Sequence, residues 1–305
     1  MIDAVDLRFL CTEIQEEGLE MLCKASEDRR KGSLYTVKLN NGSFFVHISL
    51  PKFLKGNNFE SLTLWEIREA INALESSLRI SSHLAQVVRI EAAITLPVNL
   101  PPSEYMQEWG SFPRMQKDVL NGGSTVRFSN GTWSIQGYDK ILENGLKEVP
   151  PGYAPHALRI ELKRKKNVSG LFENSLFLSD LSQPNIYVHL IKLFITAYQR
   201  IPKLGCIKLA TQPLTTNSLK TELARIGCQS VGSVRLESSI RSNVSSGLIG
   251  RREGGRMRSM LRDLLQQTTH NTSPLAHEVN TLVQTLTNRY ISSALVDMGI
   301  KDGFE

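Results

Sequence analysis

The sequence is short of several things, and each shortage removes a class of protein. Cysteine is scarce: Cys11, Cys23, Cys206 and Cys228 lie far apart with no paired CxxC spacing. That argues against a cysteine zinc site and a disulfide framework, and for a reducing, cytoplasmic setting. Apolar runs are short, and none approaches the ~20 residues of a spanning helix. The first ten residues carry Asp3, Asp6 and Arg8, so a secretion signal is not expected. No internal repeat is evident, and glycine-rich pieces such as Gly122-Gly123 match no phosphate loop and read as turns.

What is present is enough for a substantial core. The 305 residues are 41% hydrophobic and 22% charged, which suits one large or two medium globular domains. The net charge of +6 favours a polyanionic partner.

Strand and helix patterns alternate over the first two-thirds. Ile2 to Leu10 alternates as a strand, and Glu13 to Ala25 has helical spacing. Asn40-Asn41-Gly42 joins Leu34–Leu39 to Ser43–Ser49 as a hairpin. Thr63 with Glu66 three residues on predicts a capped helix to Leu78. Val87–Leu96, Thr125–Ser129, Thr132–Ile141 and Ala157–Lys165 read as strands, and Pro101-Pro102-Ser103 opens a short helix. From Val188 the pattern is helical, with candidates Ser218–Ile226, Arg256–Gln267 and Leu275–Val296, and Ser238–Gly255 reads as a Ser/Gly-rich mobile loop. The expectation is an α+β fold: an antiparallel sheet with helices on one face in residues 1–202, then a helical C-terminal region, 203–305, that contacts DNA.

A period of two assigns the strand faces. Ile90 and Ala92 oppose Arg89 and Glu91; Ile135 and Gly137 oppose Gln136, Tyr138 and Lys140. Leu158, Ile160 and Leu162 oppose Arg159, Glu161 and Lys163, and Val46 and Ile48 oppose His47. A solvated sheet face also carries such residues, but this mixture is chemically coherent over four strands. Two carboxylates and an imidazole, Glu91, Glu161 and His47, suit Mg²⁺ or Mn²⁺ beside a phosphate oxygen. A phenol such as Tyr138 becomes a nucleophile when a metal or lysine stabilises its phenolate, a role open to Lys140.

These segments resemble, in order and spacing, those of the filamentous-phage gene II replication proteins and the related phage and plasmid rolling-circle initiators. The likeness runs from Met1 to about Leu204. It rests on Met1-Ile2-Asp3, on His47-Ile48-Ser49 leading into Pro51-Lys52-Phe53-Leu54-Lys55-Gly56-Asn57-Asn58, and on Arg89-Ile90-Glu91-Ala92. Tyr138-Asp139-Lys140-Ile141-Leu142-Glu143 and Leu158-Arg159-Ile160-Glu161-Leu162 complete it. The resemblance implies metal-dependent nicking at a replication origin, a covalent 5′-phosphotyrosine on Tyr138, strand closure afterwards, and host replication proteins as partners in a bacterial cytoplasm. Two departures stand out: all six histidines are isolated, so no His-x-His pair exists, and no second tyrosine lies near Tyr138.

Phosphate contacts are expected from Arg89 and Arg159, from the run Lys163-Arg164-Lys165-Lys166, and from Arg251 and Arg252 in an arginine-rich stretch. Among other tyrosines, Tyr187 and Tyr198 read as helix packing, and Tyr153 lies in a Pro-Gly loop able to reach a phosphate. Two rivals stay open: a non-catalytic DNA-binding protein on the same scaffold, and a metal-dependent nuclease that uses water and leaves Tyr138 structural.

Overall fold

The computed structural model describes residues 1–27, 35–145, 149–172, 174–203, 224, 233–266 and 273–297. Eight strands form one antiparallel sheet: β1 (Ile2–Leu10), β2 (Tyr35–Asn40), β3 (Ser43–Ser49), β4 (Gln86–Pro97), β5 (Gln116–Leu120), β6 (Thr125–Ser129), β7 (Trp133–Asp139) and β8 (Ala157–Arg164). Their order is β2-β3-β1-β4-β8-β7-β6-β5, which sets β1, β4, β8 and β7 side by side in the middle. Every pairing is antiparallel.

The helices are α1 (Glu16–Glu27), α2 (Leu50–Lys55), α3 (Leu64–Leu78), α4 (Pro102–Gln107), α5 (Lys140–Glu143), α6 (Pro184–Gln199), α7 (Ser233–Ser245), α8 (Arg251–Gln266) and α9 (Pro274–Asp297). Helix α3 starts as its sequence dictates: Thr63 Oγ1 accepts from the Glu66 amide at 3.3 Å while Glu66 Oε2 accepts from the Thr63 amide at 2.7 Å. Its buried stripe, Leu64, Ile67, Ala70, Ile71, Leu74 and Leu78, joins Val5, Leu7, Ile90, Ile94, Leu158 and Ile160 of the sheet in one core. The fold is therefore the expected α+β class, with a helical region at the C-terminal end.

Helix α9 does not stand apart from the rest. Val279, Val283 and Ala294 join the same core, and Tyr198 of α6 donates to Asn280 Oδ1 at 2.7 Å. Arg68 of α3 pairs with Asp297 at 2.9 Å. The stretch read as a loop, Ser238–Gly255, is instead most of a helical hairpin, α7 and α8, joined by a short turn. Gly254 explains why serine and glycine suit a helix pair: a Cβ there would meet Val244 Cγ2 at 2.3 Å, so the glycine permits close approach. Strand β5 escaped sequence reading because it is a mostly exposed edge with little alternation. Of the expected helix Ser218–Ile226 only residue 224 lies within the described residues. No helix among the described residues is long and apolar enough to cross a membrane.

Candidate active site

Register places the polar residues of the central strands against one another. Tyr138 stands opposite Arg159, Gln136 opposite Glu161, and Glu91 opposite Lys163. Asp6 of β1 stands opposite both His47 and Arg89. On a pleated sheet such neighbours approach within side-chain reach, so the alternation creates a connected polar cluster. The cluster lines an open cleft of about 720 Å³ together with Asn58, Asn121, Ser124 and Thr125.

Glu161 is the hub. Its Oε1 accepts from the Tyr138 hydroxyl at 2.5 Å and from Arg159 Nε at 2.9 Å. Its Oε2 accepts from Gln136 Nε2 at 2.8 Å and pairs with Lys163 Nζ at 2.9 Å. Burial alone would raise its pKa, but the charges of Arg159 and Lys163 and the Tyr138 hydrogen bond outweigh it and hold the carboxyl down at about 2. Tyr138 is pushed the other way: burial, with the Glu161 carboxylate beside it, raises its phenol well above the ordinary range despite Arg159. As the site stands, the phenol is a hydrogen-bond donor.

Arg159 is fully buried and organises the rest. Its Nη1 donates to the Asn58 carbonyl at 2.5 Å and to Thr95 Oγ1 at 2.9 Å, and its Nη2 lies 2.7 Å from Asp3 Oδ1. The Asn58 carbonyl reaches it because the Pro51–Asn58 segment forms α2 and then turns at Gly56, whose φ of 77° is left-handed. Its guanidinium is therefore a structural hub, contrary to the expected role on phosphate. Arg89, on the cleft wall, pairs with Glu91 and reaches Asp6 at 3.4 Å.

Asp3 is the acid that sequence reading missed. One carboxylate oxygen each from Asp3, Glu91 and Glu161 lies within 4.8 Å of the others, and all three residues are buried. Simple alternation puts Asp3 on the core face with Val5 and Leu7. A register shift between Ile2 and Ala4 re-aims it, so that Asp3 and Ala4 both line the cleft. Asp3 Oδ1 has no aligned hydrogen-bond donor despite its closeness to Arg159.

Three expected members sit elsewhere. His47 lines the cleft but is outside the three-acid group; its Nδ1 meets Asp6 Oδ1 at 2.6 Å on a half-exposed surface. Lys140 does not share the Tyr138 face. Strand β7 ends at Asp139, whose Oδ1 caps α5 by accepting from the Ile141 and Leu142 amides at 3.0 Å. Lys140 is thus turned onto the Phe59 ring, its Nζ 2.6 Å from Glu143 Oε2, and it is buried. Arg164 points to the core face, its guanidinium 4.6 Å from the Trp133 ring centroid and its Nη2 donating to the Asn167 carbonyl at 2.8 Å. It is buried, and the basic run is interrupted by it; Lys165 and Lys166 are exposed, as are Arg251 and Arg252 at the start of α8. Lys163, expected on DNA, instead bridges Glu91 and Glu161.

Tyr138 is held in place from behind. Its strand neighbour Gly137 faces the core, where a Cβ would meet the Trp109 ring at 2.3 Å. The bare backbone there lets the indole approach β7 closely. The other tyrosines are engaged away from the cleft floor: Tyr187 donates to the Leu62 carbonyl at 2.9 Å, and Tyr153 packs 5.4 Å from Phe59 with its pKa raised by burial to about 12.

The fold and this cluster define a class in structural terms: an antiparallel sheet carrying a buried tyrosine, acid and cation network beneath an open cleft. No family model and no curated protein matches the chain. Among solved structures, it is similar to the rolling circle replication initiator protein of Geobacillus stearothermophilus, at 11% identity and a TM-score of 0.37 over 73% of this chain and 95% of that one.

Proposed function

We propose that the chain is a DNA nicking and joining enzyme of rolling-circle replication that uses Tyr138 as its nucleophile. The observation that carries this reading is the meeting of Tyr138 with three buried acids and three cations beneath one open cleft. A catalyst that only cut DNA with water has no use for a phenol hydrogen-bonded into its acid cluster.

The donor set suits a hard divalent ion. Asp3, Glu91 and Glu161 offer carboxylate oxygens alone, and Asp3 Oδ1 lacks an aligned donor. Those three residues would hold Mg²⁺ or Mn²⁺, with His47 left to its pairing with Asp6. Such an ion supplies charge neutralisation at a scissile phosphate and at a phenolate.

The residues carry the remaining steps. Glu161 accepts the Tyr138 hydroxyl's hydrogen bond and orients the phenol, whose proton passes to solvent in the open cleft as the phenolate forms. The phenolate oxygen attacks phosphorus in line; the P–O3′ bond breaks, and the 3′ oxygen leaves and takes up a proton. The product is a 5′-phosphotyrosine, whose bond energy is conserved for rejoining when a 3′-hydroxyl attacks it. Arg89 sits on the cleft wall and can meet the phosphate charge, and the exposed Lys165, Lys166, Arg251 and Arg252 offer sites for the DNA backbone.

A second reading, DNA binding without chemistry, draws on one observation: the phenol's pKa is raised, the opposite of an activated nucleophile. Incubating the protein and Mn²⁺ with a supercoiled plasmid carrying the cognate origin separates the readings. The nickase reading expects a protein–DNA adduct that survives denaturation and is lost in Tyr138→Phe. Nicking without adduct supports a water-using nuclease, and neither product supports simple binding.

A further inference from the structure

The most telling cation in the cleft is one expected to touch DNA. Lys163 Nζ lies 3.0 Å from Glu91 Oε2 and 2.9 Å from Glu161 Oε2, so a single ammonium clamps two of the three acids. Arg89, Arg159 and Lys163 lie against Asp3, Glu91 and Glu161, and Arg89 is shared with Asp6, whose other partner is His47, so the cluster holds no surplus of positive charge.

Both oxygens of Glu161 are already fully engaged, by Tyr138 and Arg159 on Oε1 and by Gln136 and Lys163 on Oε2. A carboxylate so saturated gains a new partner only when one of these leaves. Arg159 is buried and tied to Asp3, Thr95 and Asn58 as well, so moving it breaks the whole network. Gln136 is neutral, and its departure leaves the charge balance untouched. Lys163 differs on both counts. Its side chain is 20% exposed, and its charge sits at the end of a flexible four-carbon stem. Swinging it outward frees Oε2 of Glu91 and opens a position on Oε2 of Glu161, which keeps its bond from Gln136, and leaves an uncompensated negative charge.

We propose that Lys163 is a tethered cation that competes with a divalent ion for Glu91 and Glu161 and must be displaced before the site is loaded. This rests on the metal-binding part of the function proposed above. Opposite charge at such short range within a partly buried site strongly affects occupancy. Removing the ammonium while keeping the stem should therefore raise metal affinity, the reverse of what a ligand-supporting lysine would do.

The test is Mn²⁺ affinity, read from the electron paramagnetic resonance signal of the free ion, for wild type, Lys163→Met, Lys163→Gln and Glu91→Gln. The expected result is binding about tenfold tighter or better in both Lys163 variants, with loss of binding in Glu91→Gln. Equal or weaker binding in the Lys163 variants, with Mn²⁺ still bound by wild type, overturns the tethered-cation role alone. No binding by any protein at millimolar Mn²⁺ overturns the metal site and the competition with it. Should the variants fold poorly, wild type supplies the answer through reductive dimethylation followed by mass spectrometry. Saturating Mn²⁺ should increase the labelling of Lys163 severalfold while that of Lys52, on the cleft rim, stays constant; unchanged Lys163 labelling contradicts the proposal.

Discussion

The two faces of strand β8 are built from alternate residues of one eight-residue segment and are stabilised by opposite physics. Leu158, Ile160 and Leu162 face the helices and are held by close apolar packing. Arg159, Glu161 and Lys163 face the cleft and are held by mutual charge and hydrogen bonds. Arg159 and Glu161 are as buried as many core residues, while Lys163 is partly exposed to the cleft. The difference lies in what happens when a member is lost. An apolar neighbour relaxes partly into the gap, whereas a buried charge that loses its partner cannot relax into anything. A polar face made this way trades tolerance to substitution for a set of charges fixed in place by the fold.

That contrast can be broken experimentally. The largest stability loss is expected from Arg159→Leu, which leaves Asp3 and Glu161 buried without their shared cation. About 3–5 kcal/mol should be lost in denaturant unfolding; a loss under ~1 kcal/mol would mean the polar face is no network. On the opposite face, Ile160→Ala should cost about 2–4 kcal/mol by transfer and cavity terms, and should leave any adduct chemistry of the folded fraction intact.

The pH dependence sharpens the comparison further. Glu161 has its carboxyl depressed from 4.5 to about 2 in the folded chain. A depressed acid contributes stability that is complete above its unfolded value and lost as pH falls through the folded one. Stability should therefore decline between about pH 4.5 and 2, and Glu161→Gln should flatten that decline in denaturation curves taken at several pH values. A variant whose decline is as steep as wild type would remove Glu161 from the account. The smallest effect is expected from Lys140→Met. Because Lys140 sits against Phe59 and Glu143 rather than beside the phenol, adduct yield should stay within about twofold of wild type.

Much of this was legible in the sequence, and the misses have definite causes. Period-two alternation assigned β8 correctly, along with β4 from Arg89 to Ile94 and β7 as far as Tyr138, because each has one face against the core; it failed at Val88, where a register shift puts Val87 in the core instead. Thr63 and Glu66 announced α3, since a capping box is local chemistry. Lys140 was misplaced because Asp139, read as a strand residue, is the cap that ends the strand. Asp3 was missed because a bulge reverses the parity on which face assignment depends. Arg164 and Lys163 were grouped as a basic run, yet adjacent strand residues point to opposite faces, so one stacks on Trp133 and the other clamps two acids. Charge type was readable from sequence; which charge meets which required the register of four strands.

Tyr138 is the residue proposed to bond to DNA. Digesting a Mn²⁺-dependent adduct with protease and nuclease, then locating the residual nucleotide by tandem mass spectrometry, tests it directly. A nucleotide phosphate is expected on the tyrosine of the peptide containing Gly137-Tyr138-Asp139. A nucleotide on Tyr153, on Tyr290 or on no tyrosine at all would contradict it.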